Sequence, residues 1–118
     1  MAPELALVGM SKALPVNSLS FAQEVLESEL PVLIDVTAEW CPPCKAAAPI
    51  IDDLATKHAG RLKVVVIDGE DAADLVSTLG VRGFPTFLGV RGGTIVARQA
   101  GFGGRRGLEK LAESLLAT

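Results

Sequence analysis

Apolar residues in this chain fall into short β-branched runs that alternate with stretches of helical spacing. The segment PVLIDVT (31–37) is one such run, of the kind expected of a strand covered on both faces, and Asp35 interrupts it. LKVVVID (62–68) and PTFLGV (85–90) read as two more strands. The sequence RGG (91–93) then makes a tight turn into TIVARQA (94–100), so the last two strands form a hairpin. A short edge strand is expected near 13–16, where Pro15 is tolerated because an edge position need not donate to a ladder.

Four helices separate these runs. Residues 20–30 carry Phe21, Val25 and Leu26 on one face, with Ser20 and Gln23 spaced as a capping box. Residues 43–58 offer Ala47, Ile51, Leu54 and Ala55 to one face, with Pro49 inside the helix as a kink. Residues 71–80 form a short helix ended by Gly80. Residues 105–116 place Leu108, Leu111, Leu115 and Leu116 on an apolar side. Early β–α alternation implies parallel strands with helical crossovers, and the late hairpin adds antiparallel ones. The expected fold class is therefore α/β, a mixed central β-sheet flanked by helices on both faces.

Length and charge narrow the picture. The 118 residues suit one domain with a real core, expected over 13–118, preceded by a loose segment at 1–12. A net charge of -3 argues against a nucleic-acid surface. Residues 1–81 hold 5 Lys/Arg against 12 Asp/Glu and residues 82–118 hold 6 against 2, but the basic residues are interleaved with apolar ones, as on a solvated rim. No run approaches the roughly 18 apolar residues of a membrane span, and the first residues lack the basic start of a secretory signal. A cytoplasmic monomer is expected.

The chemistry lies in WCPPC (40–44). The chain has two cysteines, Cys41 and Cys44, placed where a strand ends and a helix begins. This spacing brings the sulfurs within disulfide reach on a first helical turn. The unpaired N–H groups there favour a thiolate at Cys41, which makes it the nucleophile, with Cys44 as the resolving thiol. A closed zinc site wants four ligands, and the two cysteines with the lone His58 do not supply them. A purely structural disulfide across two residues would constrain almost nothing.

Together, VLIDVTAEWCPPCKAAAP and GVRGFPT resemble the thioredoxin family over about residues 13–118. Trp40, Cys41, Cys44, Pro49 and Pro85 stand at positions matching the family's motif. The resemblance implies a thioredoxin fold and a thiol–disulfide oxidoreductase that reduces protein disulfides without a bound cofactor or metal. It also implies disulfide-containing client proteins and a thioredoxin reductase as electron donor. Pro85 would be a cis-proline facing the cysteines, exposing the backbone of Phe84 so that a client peptide pairs with it like an added strand. The bulk of Phe84 would narrow that groove if its ring is not instead simply core. Gly101 would keep the groove open, Phe102 would add apolar surface, and Trp40 would form a partly exposed wall. Asp35 matches the buried aspartate that exchanges a proton with the inner thiol, and burial should raise its pKa.

Three departures from the family's pattern stand out. The lysine that commonly neighbours that aspartate is matched by Val64, with Lys63 pointing to the other face. Thr37 replaces a second tryptophan. The spacer is Pro42-Pro43 rather than Gly-Pro, so the helix is expected to begin at Pro43, and the lost N–H of Pro42 to weaken thiolate stabilisation. His58 reads as a surface residue near a helix end, and GFGGRRG (101–107) as a turn rather than a phosphate loop. Other readings of the same residues are a disulfide oxidase or isomerase, a noncatalytic binding or assembly module, and an iron–sulfur cluster shared between two chains.

Overall fold

Five strands form one sheet in the order β1-β3-β2-β4-β5, from β1 (Leu14–Pro15), β2 (Val32–Thr37), β3 (Lys63–Asp68), β4 (Thr86–Arg91) and β5 (Thr94–Ala100). The computed structural model describes residues 12–117, so the segment expected to be loose lies, but for Lys12, outside the described residues. Strands β1, β3 and β2 run parallel, and β4 and β5 are antiparallel to their neighbours. The mixed sheet follows from the connections: a helix carries the chain from β2 to β3, whereas the Gly92-Gly93 turn, with positive φ at both residues, joins β4 to β5 directly.

Helices cover both faces. The helices α2 (Pro42–Lys57) and α4 (Arg105–Leu116) pack on one side, burying Ala47, Ile51, Leu54, Leu108, Leu111 and Leu115 against Leu33, Val64 and Phe87. The helices α1 (Ala22–Leu26) and α3 (Ala73–Thr78) flank the other, where Val25 and Leu75 meet Val32, Ile34, Val65 and Leu88. Each fully buried aliphatic side chain contributes roughly 1.5–3 kcal/mol relative to exposure. Two arginines tie helix ends to the sheet. Arg91 Nη2 donates to the carbonyls of Leu115 and Ala117 at 2.5 and 3.0 Å, and Arg98 Nη2 to that of Leu79 at 2.8 Å.

The first helix differs from its expectation. It is a short π-wound segment, in which the Glu27 N–H reaches the Ala22 carbonyl at 2.9 Å, and the Ser20–Gln23 capping box does not form. Asn17 takes over the start instead: its Oδ1 accepts from the Leu19 and Ser20 N–H groups at 2.9 and 3.0 Å. The Asx turn claims the Ser20 N–H that the Gln23 side chain would have accepted in the box. His58 also departs from its expectation. It is buried at the end of α2, where desolvation first, then Arg61 and Lys57, lowers its pKa. A neutral imidazole is the form that burial beside two cations selects.

Candidate functional site

The site is built where β2 ends and α2 begins. Cys41 is the N-cap of α2, with extended backbone, and Pro42 and Pro43 occupy the first two helical positions. The helix thus starts one residue earlier than the sequence suggested. The fixed φ of Pro42 suits a first turn, and the N–H groups that both prolines lack are among those a helix start leaves without intrahelical partners. The Cys44 N–H donates to the Cys41 sulfur at 3.3 Å. The two cysteines are joined as a disulfide, with Cα atoms 5.2 Å apart, and both are buried.

An N-cap side chain accepts from the second and third helical N–H groups. Pro43 holds the second position and has none, so Cys44 supplies the amide that reaches Cys41. Pro42, in first position, would not direct an N–H at the sulfur in any case. The loss of thiolate stabilisation expected from Pro42 therefore belongs to Pro43.

Opposite the cysteines, the Phe84–Pro85 peptide bond is cis. The Phe84 carbonyl oxygen lies 3.6 Å from the Cys41 sulfur. The Gly101 N–H donates to the Pro85 carbonyl at 2.8 Å, with Gly101 at φ +80. A Cβ at Gly101 would meet nothing within 4 Å, so backbone conformation rather than space requires glycine there. Phe102 turns to the core under α2 and α4, away from the expected groove surface.

Phe84 is half-buried and packs both on the α3-side core, as the core reading expected, and on Ala38, Cys41 and Cys44. Trp40 is 63% exposed, sits edge-on to Phe84 with ring centroids 6.1 Å apart, and donates through Nε1 to Glu70 Oε2 at 2.7 Å. Glu70 gave no signal in the sequence pattern, because it lies in a loop thirty positions away.

Asp35 is 2% exposed and faces α2, sharing that face of the sheet with Leu33. Its Oδ1 has no hydrogen-bond partner, and its pKa is raised to about 7, by desolvation first and then by the Asp52 carboxylate. Sequence reasoning missed Asp52. The available signal was its place on α2 between the buried Ile51 and Leu54. Its Oδ1 accepts from the Ala13 N–H at 3.0 Å, which holds the acid near the sheet.

The residue opposite Asp35 on β3 is Val66; Val64 pairs with Leu33. The position next to the aspartate is therefore two residues later than the sequence suggested, and it is again valine. Lys63 does point to the other face, where its Nζ pairs with Glu24. Val66, Thr37 and Ala38 line a groove of about 470 Å³ that reaches Cys44.

A disulfide at a helix N-terminus, with the carbonyl before a cis-proline 3.6 Å from its first sulfur, in a mixed five-stranded sheet, defines a thiol–disulfide oxidoreductase. The thioredoxin family model matches residues 12–117. The chain is 40% identical over 92 residues to a thioredoxin of Haemophilus influenzae, covering 78% of this chain and 86% of that protein. It is 41% identical over 86 residues to a thioredoxin of Pseudomonas aeruginosa, covering 73% and 80%, and 40% identical over 84 residues to thioredoxin 1 of a Nostoc species, covering 71% and 78%. The chain belongs to the thioredoxin family, and its activity is protein-disulfide reduction. Disulfide-containing substrates and a reductase partner follow for the family in general. Among the described residues, no helix is long and apolar enough to cross a membrane.

Proposed function

We propose that Cys41 attacks the client disulfide, Cys44 resolves the mixed disulfide, and Asp35 takes up the proton that Cys44 gives up as it attacks. The observation that supports this most directly is the Cys44 N–H donating to the Cys41 sulfur at the start of α2. Negative charge developing on Cys41 meets that donor and the positive end of the helix.

In the reduced protein, the Cys41 thiolate attacks one client sulfur. The Cys41–client disulfide forms, the client disulfide breaks, and the departing client thiolate takes a proton. Cys44 then loses its proton to the Asp35 carboxylate and attacks the Cys41 sulfur. The second client sulfur leaves as a thiolate and takes that proton from Asp35; the first took its proton from water, and two electrons have passed from the dithiol to the client. An acid with a pKa of about 7 suits both halves of this transfer, since it holds and releases a proton near neutrality.

Trp40, Phe84, Pro85 and Gly101 form the groove that receives the client backbone as an added strand. A reducing compartment, the cytoplasm, and a thioredoxin reductase fit the reducing direction. The test is insulin reduction driven by NADPH and a thioredoxin reductase. C41S should abolish turnover, and C44S should accumulate a covalent mixed disulfide with the client. Turnover retained in C41S would overturn the assignment.

A further inference from the structure

Glycine is required at Gly101 by its backbone, but Gly69 has no positive φ. It is buried in the loop after β3, and its N–H donates to the Thr37 carbonyl at 2.8 Å. What distinguishes it is space. A Cβ on Gly69 would overlap Cε1 and Cζ of the Phe84 ring and stand 3.2 Å from Val76 Cγ2. The ring of Phe84 lies in the notch that the missing side chain leaves.

We propose that Gly69 is a positioning residue that sets the depth of the Phe84 ring, and thereby the width of the client groove. This rests on reading Phe84 as a wall of that groove. The ring cannot retreat from a new methyl group on its inner side, because Val76 and the α3-side core are packed there. On its other side the ring meets the edge of the exposed Trp40 indole, so a displacement of Phe84 is transmitted to Trp40. The next residue, Glu70, holds the Trp40 indole by its 2.7 Å hydrogen bond. Two successive loop residues thus seat both aromatic walls, one by absence of a side chain and one by a carboxylate. None of the three atoms nearest a Cβ on Gly69 belongs to a cysteine, so its effect on the thiols runs through Phe84, which packs on both.

The test compares the wild type with G69A, F84L and the G69A/F84L double variant. Trp40 is the one tryptophan of the chain, so its emission reports directly on the Phe84 edge. G69A should change that emission and raise KM for insulin about tenfold, equivalent to about 1.4 kcal/mol of lost binding, with kcat nearly unchanged. Its glutathione redox equilibrium and the alkylation rate of reduced Cys41, which feel the change only through Phe84, should shift much less than KM. In the F84L background, adding G69A should have little further effect on KM, emission or Tm, because the smaller side chain vacates the notch.

If G69A fails to fold, a folded G69A/F84L variant gives the same coupling and supports the proposal. Equal effects of G69A in both backgrounds, unchanged emission and KM in G69A, or a double variant that also fails to fold would each overturn it. Should the wild type show no insulin reduction, the function reading fails, and the emission and Tm coupling between positions 69 and 84 still decides whether the notch seats the ring.

Discussion

Asp35 pairs with Val66 across the β2–β3 ladder, so the buried carboxyl meets an aliphatic side chain where a cation would neutralise it. Its named electrostatic neighbour is another acid, Asp52. Desolvation and this repulsion act in the same direction, and both favour the protonated form.

Replacing that valine tests the arrangement. Val66 is only half-buried, and its side chain borders the groove at Cys44, so V66K can keep its ammonium in water while laying its stem along the strand. The Asp35 pKa should fall from about 7, and the acid limb of the insulin-reduction pH profile should move to lower pH. A carbon-detected NMR titration of the carboxyl measures the shift directly; an unmoved pKa would show that desolvation alone sets it.

The raised pKa also couples folding to pH. Between the ordinary carboxylate value and about 7, the folded chain holds a proton on Asp35 that the unfolded chain has released. Stability contributed by the neutral acid is present at low pH and is lost as pH rises through this window. D35N removes the dependence and should exceed the wild type in stability at pH above 7, by up to about 4 kcal/mol. Denaturant midpoints of both proteins across the window check this. Reductase turnover should fall in the same variant, because the proton carrier is gone.

Asp52 offers a milder change. D52N keeps an oxygen to accept the Ala13 N–H and removes the charge. The Asp35 pKa should move down, by less than in V66K, since desolvation remains the larger cause. Thermal stability should change little, within about 1 kcal/mol.

His58 has the opposite sign. Its folded pKa is lowered, so its stabilising contribution is present above the ordinary histidine value and is lost as pH falls through the folded one. H58Q should flatten the loss of stability on acidification below about pH 6.5, read as Tm against pH.

The spacer prolines separate cleanly. P43A restores an N–H at the second helical position, within reach of the Cys41 side chain, and should lower the Cys41 thiol pKa in the reduced protein. P42G should leave it nearly unchanged, since a first-position amide does not point at the cap. The pH dependence of Cys41 alkylation decides between them.

Much of this was legible in the residues. The β-branched runs marked β2, β3 and β4, and the apolar spacings marked α2 and α4, because burial on a period of two or 3.6 leaves a direct trace in sequence. The Trp40–Cys44 stretch and Pro85 marked the site, while Asp35 marked itself by interrupting an apolar strand. What failed depended on pairing. Val64 and Val66 share a face, so alternation cannot distinguish them, and only the β2–β3 register puts Val66 opposite Asp35. His58 looked exposed as a polar residue at a helix end, yet it is buried where Glu113 of α4 acts on its charge. Ser20 and Gln23 read as a cap, and Asn17, which gave no signal of its own, takes the Ser20 N–H that the cap would have used. The fit of Gly69 to Phe84 joins residues fifteen positions apart and leaves no periodic trace.

The disulfide uses both cysteines that the chain contains. This chain offers no third thiol to scramble with, so every mixed disulfide or disulfide-linked dimer it forms must be bonded through Cys41 or Cys44. Once Cys44 is replaced, this chain's end of any captured disulfide is Cys41, and the adduct's abundance on a non-reducing gel counts turnover events halted at their midpoint.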